Sequence, residues 1–218
     1  MTTKKQLRKW DSIKCPVHRK LSSNTENYLY AMFLLDEKNE KITASTLLEY
    51  IKLLPSSENL GTSLPTVTGM LKRMIRDHLI TKNKNNEIFL TEYGKISAKE
   101  QTKRFRLAGK FIHETLKIEL KDVFQEAHRL EHAMSQEVEN AIDKLLEYPV
   151  KDPFGQDIPG SQKLKTEKII PLSETSINKT YIISKIPPEN SEFVDFLHTN
   201  DIIPGSKITI EEISDTRG

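Results

Sequence analysis

Apolar positions recur at helical spacing from about residue 23. Ser23-Asn24-Thr25-Glu26 reads as a capping box, in which hydroxyl and carboxylate satisfy each other's backbone donors. Tyr28, Leu29, Met32, Phe33 and Leu35 follow as the apolar face of a first helix, which stops at Asp36–Asn39. A second helix starts at Thr43 or Ser45 and carries Leu47, Leu48 and Ile51. After a turn-rich stretch from Leu54 to Ser63, Ser63-Leu64-Pro65-Thr66-Val67-Thr68 opens a third helix. Pro65 suits the first turn, where its missing N–H costs nothing. Val67, Met70, Leu71 and Met74 give this helix an apolar side, and Lys72, Arg73 and Arg76 a basic one. Leu79-Ile80-Thr81 and Ile88–Thr91, around the polar tip Lys82–Glu87, predict a β-hairpin. Three helices and a hairpin make a winged helix-turn-helix over residues 23–92.

Downstream the pattern stays helical. Tyr93, Ile96, Phe105, Leu107, Phe111, Ile112 and Leu116 predict a long helix over 93–120, followed by helices over 121–133 and 135–147. Ser135 caps the last of these, and Val138, Ile142, Leu145 and Leu146 form its stripe. Pro149, Pro-Phe-Gly and Ile-Pro-Gly then signal turns. Beyond a charged linker at Lys163–Lys168, a strand over 179–186, a short helix over 193–200, a turn over 201–206 and a strand over 207–210 are expected. The predicted fold is mainly α with a small β part.

Composition narrows the class. The chain has 218 residues, 36% hydrophobic and 29% charged, enough for two or three small domains. No run of about 18 apolar residues exists, and the N-terminus has no apolar signal core, so neither a membrane span nor secretion is expected. The single cysteine, Cys15, cannot close an internal disulfide, which fits a reducing cytoplasm. Cys15-Pro-Val-His18 is half a zinc motif without a second half. Charge is uneven: residues 1–92 hold 15 Lys and Arg against 10 Asp and Glu, a net of +5, and residues 93–218 hold 18 against 21, a net of −3. A basic head on a mildly acidic body suits nucleic-acid binding. Seven of the first 20 residues are Lys or Arg, and residues 1–22 read as a flexible basic arm for phosphates.

In a winged helix the third helix enters the major groove by its N-terminal end. Ser63, Pro65, Thr66 and Thr68 are the candidate contacts near base edges, and Lys72, Arg73, Lys82 and Lys84 the candidate phosphate grips. The candidate metal chemistry is at His128, Glu131 and His132. On a helix these residues share one face, and two imidazoles with a carboxylate suit a borderline divalent cation. The same residues match H-x-x-E-H, a zinc-peptidase pattern in which the Glu is the general base and a distant third ligand completes the site.

A longer pattern holds this cluster. HRLEHAMSQEVENAIDKLL followed by DPFGQDIPG resembles the DtxR, IdeR and MntR iron- and manganese-dependent repressors, whose motif is (Cys or Glu)-x-x-Glu-His-x-(Met or Leu)-Ser, a helix, then S/D-P-F/H-G-x-P-I-P-G. Asn27-Tyr28-Leu29, Leu64-Pro65-Thr66-Val67-Thr68 and Leu90-Thr91-Glu92-Tyr93-Gly94-Lys95 match the family's first helix, recognition helix and wing exit. Two departures stand out: a longer turn from Pro55 to Thr62, and a Gln of the recognition helix replaced around Gly69.

The resemblance implies a metal-dependent transcriptional repressor of metal-uptake genes, no enzyme. It acts as a homodimer on palindromic double-stranded DNA, and its domains are an arm (1–22), a winged helix-turn-helix (23–92), a helical metal-binding and dimerisation domain (93–160) and a linker with an SH3-like FeoA-type barrel (161–218), apparently truncated. The implied metal ligands are Asn27, His128, Glu131 and His132. The family's second site is depleted, since Phe105, Gly109 and Phe124 stand at its ligand positions; Glu189 and Glu192 match its accessory ligands. One cation per subunit is therefore expected, Mn²⁺ or Fe²⁺, with Zn²⁺ or Co²⁺ binding in vitro. The alternative is a winged-helix regulator that no longer depends on metal.

Overall fold

The computed structural model describes residues 21–54, 60–161 and 168–213. The basic arm over 1–20, with Cys15 and His18, therefore lies outside the described residues, as do most of the charged linker and residues 55–59 of the long turn. The chain divides into two compact units. The first is formed up to Leu48 and over Leu60–Ala98, the second by Glu49–Asn59 and Lys99–Gly218.

In the first unit, α1 (Ser23–Glu37) is buried on nearly every side, through Tyr28, Leu29, Tyr30, Ala31, Met32, Leu34 and Leu35. Its cap is one residue earlier than the expected capping box. The Ser22 hydroxyl accepts from Thr25 N at 3.4 Å, because Ser22 is the residue with extended backbone and Ser23 is already helical. α2 (Ala44–Ile51) is capped reciprocally by Thr43 and Thr46, whose hydroxyls accept from each other's backbone N–H at 3.2 and 2.9 Å. α3 (Leu64–Arg76) has Ser63 as its cap and Pro65 in its first turn, and buries Val67, Leu71 and Met74. β1 (Ile80–Lys82) and β2 (Ile88–Leu90) pair antiparallel, with Thr81 opposite Phe89, and α3 packs on β1. Ile88 N also donates to Ile42 O at 2.8 Å, tying the hairpin to the start of α2. Three helices and a wing are what the periodicity predicts.

The second unit takes over within α4 (Glu92–Glu114). This helix ends six residues before the expected position, and Lys117 adopts φ 62° in the turn that follows. α5 (Leu120–Glu131) lies close against α4: a Cβ on Gly109 would sit 3.4 Å from Val123 Cγ1 and 3.7 Å from Ala127 Cβ. α6 (Gln136–Leu145) is capped by Ser135, as expected, and is bound to α4 by ion pairs. Lys103 Nζ lies 3.1 Å from both Glu139 and Asp143, and Arg104 Nε 3.6 Å from Glu139.

The C-terminal part differs from the expected barrel. Among the described residues it holds one 3₁₀ turn (Leu172–Glu174), β3 (Thr180–Ile182), α7 (Ser191–Thr199) and β4 (Lys207–Thr209), with β3 and β4 as a single antiparallel pair. The strand expected over 179–186 is cut short: Ile183 still bonds to Gly205 and Ser206 just before β4, but Ile186 bonds elsewhere. Ile186 N donates to Phe154 O at 3.0 Å and Gln156 Nε2 to Ile186 O at 3.3 Å. α7 packs on α5, with Val194 and Leu197 buried and Lys121 3.4 Å from Asp195. Among the described residues the protein is thus mainly helical with two small antiparallel sheets. Among the described residues no helix is long and apolar enough to cross a membrane.

Candidate metal centre and nucleic-acid interface

The three clustered metal candidates sit at the end of α5. Its sequence places Val123, Phe124, Ala127, His128 and Glu131 on one side, and that side is buried. Glu131 is fully buried and His128 is 1% exposed. His132 is the C-cap residue rather than an interior one, and its Nδ1 lies 3.0 Å from Glu131 Oε1. A carboxylate removed from water needs a positive or hydrogen-bonding partner, and His132 is placed as one.

His128 has a different environment. Its ring centroid lies 4.5 Å from that of Phe105 on α4 and 4.9 Å from that of Phe124 on α5, while the two phenyl rings meet edge-to-face at 5.5 Å. Burial, with the neighbouring His132 second, pushes its pKa down to about 3. The imidazole is therefore neutral at physiological pH, the form that ligates a metal. Phe105 and Phe124, at two of the positions that the family resemblance expects to carry second-site ligands, thus pack their rings against His128, while Gly109 faces Val123 and Ala127.

In kind, the donors fit a divalent cation: a neutral imidazole, a desolvated carboxylate and a second imidazole within two turns. In arrangement they are not yet converged. Among the described residues, no group of three or more His, Cys, Asp or Glu side chains is placed to hold an ion, and Glu131 and His132 face each other. Asn27, the expected fourth ligand, is fully buried on α1 in the first unit.

The accessory candidates part company. Glu189 accepts a hydrogen bond from the Tyr50 hydroxyl at 2.8 Å, whereas Glu192 is exposed in the first turn of α7. A second buried polar cluster escaped the sequence reading altogether. Arg106, 1% exposed on α4, donates to Asp157 O, and Asp152 accepts from Phe154 N and Gln156 N at 2.9 and 2.8 Å. Burial raises the Asp152 carboxyl to about 6, against the pull of Arg106, those two N–H groups and Lys110.

On the first unit, Ser63, Pro65 and Thr66 are exposed at the start of α3 and Thr68 is half-buried. All three hydroxyls are already engaged: Ser63 Oγ accepts from Thr66 N at 3.4 Å and shares a hydrogen bond with Thr66 Oγ1 at 2.8 Å, and Thr68 Oγ1 donates to Leu64 O at 2.8 Å. Thr68 thus has lone pairs to offer a base, but its proton is committed to the helix. Lys72 and Arg73 on α3 and Lys82 and Lys84 on the hairpin are exposed, and Arg73 Nε lies 3.9 Å from Asp77. Gly69 lies on the exposed side of α3 with open space where a side chain would be.

Comparison with known proteins agrees with this geometry. Residues 91–160 match the model of the iron dependent repressor metal binding and dimerisation domain. The chain is 26% identical to the iron-dependent repressor IdeR of Mycobacterium leprae, over 88% of this chain and 85% of that one. Among solved structures, the manganese regulator SloR superimposes with a TM-score of 0.68 at 25% identity, over 86% of this chain and 83% of that one. The structure of ScaR with bound Zn²⁺ superimposes with a TM-score of 0.70 at 25% identity, over 88% and 86%. A manganese-dependent transcriptional repressor in complex with manganese shares the fold at a TM-score of 0.78 and 23% identity, over 89% and 86%. The relatives are repressors, not enzymes, so the zinc-peptidase alternative at H-x-x-E-H falls. Identity of 30% to the diphtheria toxin repressor of Corynebacterium jeikeium, over 90% of this chain and 75% of that one, makes this protein a member of the iron-dependent, diphtheria toxin repressor family.

Proposed function

We propose that this chain is a divalent-metal-dependent, DNA-binding transcriptional repressor of metal-uptake genes that works as a homodimer in the cytoplasm. The observation that carries the reading is the pairing of a fully buried Glu131 carboxylate with His132, beside a neutral His128, in the segment that matches a metal-binding domain. The ligand set is His128, Glu131, His132 and Asn27. With Phe105, Gly109 and Phe124 packed at the second-site positions, one cation binds per subunit, Mn²⁺ or Fe²⁺ in the cell and Zn²⁺ or Co²⁺ readily in vitro.

When bound, the cation supplies positive charge for the buried carboxylate and so favours the state in which its donors converge. The chain's own residues do the rest. His128 offers a nitrogen that needs no deprotonation. Ser63, Pro65, Thr66 and Thr68 meet the major groove, and Lys72, Arg73, Lys82 and Lys84 hold phosphates. The domains are the arm (1–22), the winged helix-turn-helix (23–92), the helical dimerisation domain (93–160) and the FeoA-type module (161–218). Two-fold pairing directs two heads to a palindrome.

Glu131→Ala or His132→Ala should abolish metal-stimulated operator binding in mobility-shift titrations while light scattering still reports the dimer. An unchanged metal response in both variants would overturn the ligand assignment. A second reading, a regulator that no longer depends on metal, draws on the unconverged donors and the packing of His128 between two phenyl rings. It predicts equal operator binding with Mn²⁺, Fe²⁺, Zn²⁺ or a chelator.

A further inference from the structure

The C-terminal module delivers a carboxylate to the end of α2. Tyr50, in the last turn of that helix, is 4% exposed, and its hydroxyl donates to Glu189 Oε1 at 2.8 Å across 139 positions of sequence. Both residues belong to the second unit, although α2 begins in the first. Glu189 is anchored on both sides. Before it, Ile186 is hydrogen-bonded to Phe154 and Gln156. After it, Asn190 caps α7 by accepting from Phe193 N at 2.9 Å, and α7 packs on α5. The carboxylate is therefore a fixed point rather than the tip of a loose loop.

The helix it reaches ends on buried Tyr50 and Ile51, with buried Leu54 just beyond. α2 has eight residues and no basic residue in its last turn to meet the terminal carbonyls. Past it, short-range backbone bonds run from Leu53 N to Tyr50 O at 2.9 Å and from Leu54 N to Ile51 O at 3.1 Å. A hydroxyl–carboxylate bond is charge-assisted and stronger than those neutral bonds. The polypeptide leaves α2 here and next forms α3, the helix given base contacts above.

We propose that Glu189 is a positioning residue for DNA binding: through Tyr50 it fixes the C-terminal turn of α2, so that the C-terminal module acts on the helix-turn-helix without an ion of its own. The proposal rests on the DNA-binding reading, but its structural half is testable apart from it. Amide hydrogen exchange of the full chain, free of DNA, should rise at Leu53 and Leu54 in both Tyr50→Phe and Glu189→Ala. Glu189→Gln, which keeps an acceptor oxygen, should stay near wild type. With Mn²⁺ and duplex DNA selected by the wild-type chain from a random pool, Tyr50→Phe and Glu189→Ala should each weaken binding by roughly tenfold. The double variant should be no worse than either, and thermal unfolding of Glu189→Gln guards against general misfolding. Unchanged exchange in the single variants, or additive losses in the double, would overturn the proposal. A wild-type chain that binds no duplex at all would instead sink the DNA-binding reading, while the exchange data still decide the Tyr50–Glu189 role.

Discussion

Replacing Gly155 by alanine tests how the C-terminal module is seated. Gly155 has φ +80°, and a Cβ built there would lie 2.1 Å from the carbonyl oxygen of Ser184. That atom belongs to backbone, so no rotamer change relieves the clash. Either the Asp152–Asp157 turn or the Ser184–Ile186 segment must move, and the bonds from Ile186 N to Phe154 O and from Gln156 Nε2 to Ile186 O go with it. Gly160 is the control: it has φ +86° and no atom within 4 Å of its Cβ position. Gly160→Ala therefore carries the left-handed backbone cost alone, about 1 kcal/mol. Gly155→Ala adds two hydrogen bonds at about 1 kcal/mol each and residual overlap, for about 3–4 kcal/mol in all. In a domain of this size each kcal/mol is worth roughly 2–4 °C in Tm. Calorimetry should place Gly160→Ala roughly 3 °C and Gly155→Ala roughly 10 °C below wild type. Equal losses in the two variants would refute the argument, because the segment would then not be pressed onto Gly155.

Two further outcomes follow from buried charge. Asp152, raised to about 6 from 3.8, holds a proton in the folded chain that the unfolded chain has released, so its contribution is full below pH 3.8 and is lost as pH rises through 6. His128, lowered from 6.5 to about 3, works in the opposite sense: its contribution is full above pH 6.5 and is lost as pH falls toward 3. Asp152→Asn should therefore steepen the loss of stability between pH 6 and 4 in urea titrations, and His128→Leu should flatten it; slopes matching wild type would contradict both assignments. Glu139, only 7% exposed between Lys103 and Arg104, should cost about 1–3 kcal/mol when changed to Ala, whereas Asp143→Ala, at 19% exposure and with one partner, should cost less. The reverse ranking in thermal unfolding would count against the α4–α6 tie.

What was legible in the chain was local. Ser63 with Pro65, and Ser135 before its apolar stripe, announce helix starts because a cap is satisfied within three residues. The 79–91 alternation announces the wing for the same reason. Spacing alone puts His128 and Glu131 on one helical face, with His132 falling at the cap that follows. The misses come from partners far away in sequence. Nothing near Tyr50 points to Glu189, and nothing near Phe154 announces Ile186, so the strand expected over 179–186 is longer than the observed β3. The end of α4 was overshot because Lys117, not a glycine or proline, takes the left-handed turn. Phe105 and Phe124 were visible as missing ligands, but that they enclose His128 required coordinates.

That enclosure limits which donors the seam between α4 and α5 can accept. Phe105→His would replace a ring that packs on His128 and Phe124 by a polar one whose N–H needs a partner there, and Gly109→Glu would drive a carboxylate against Val123, whose Cγ1 lies 3.4 Å from the Cβ position. Position 105 therefore cannot take a polar donor without giving up the ring contact with His128, and position 109 cannot take a long one without displacing Val123, so a new donor at either place would have to repack the seam between α4 and α5.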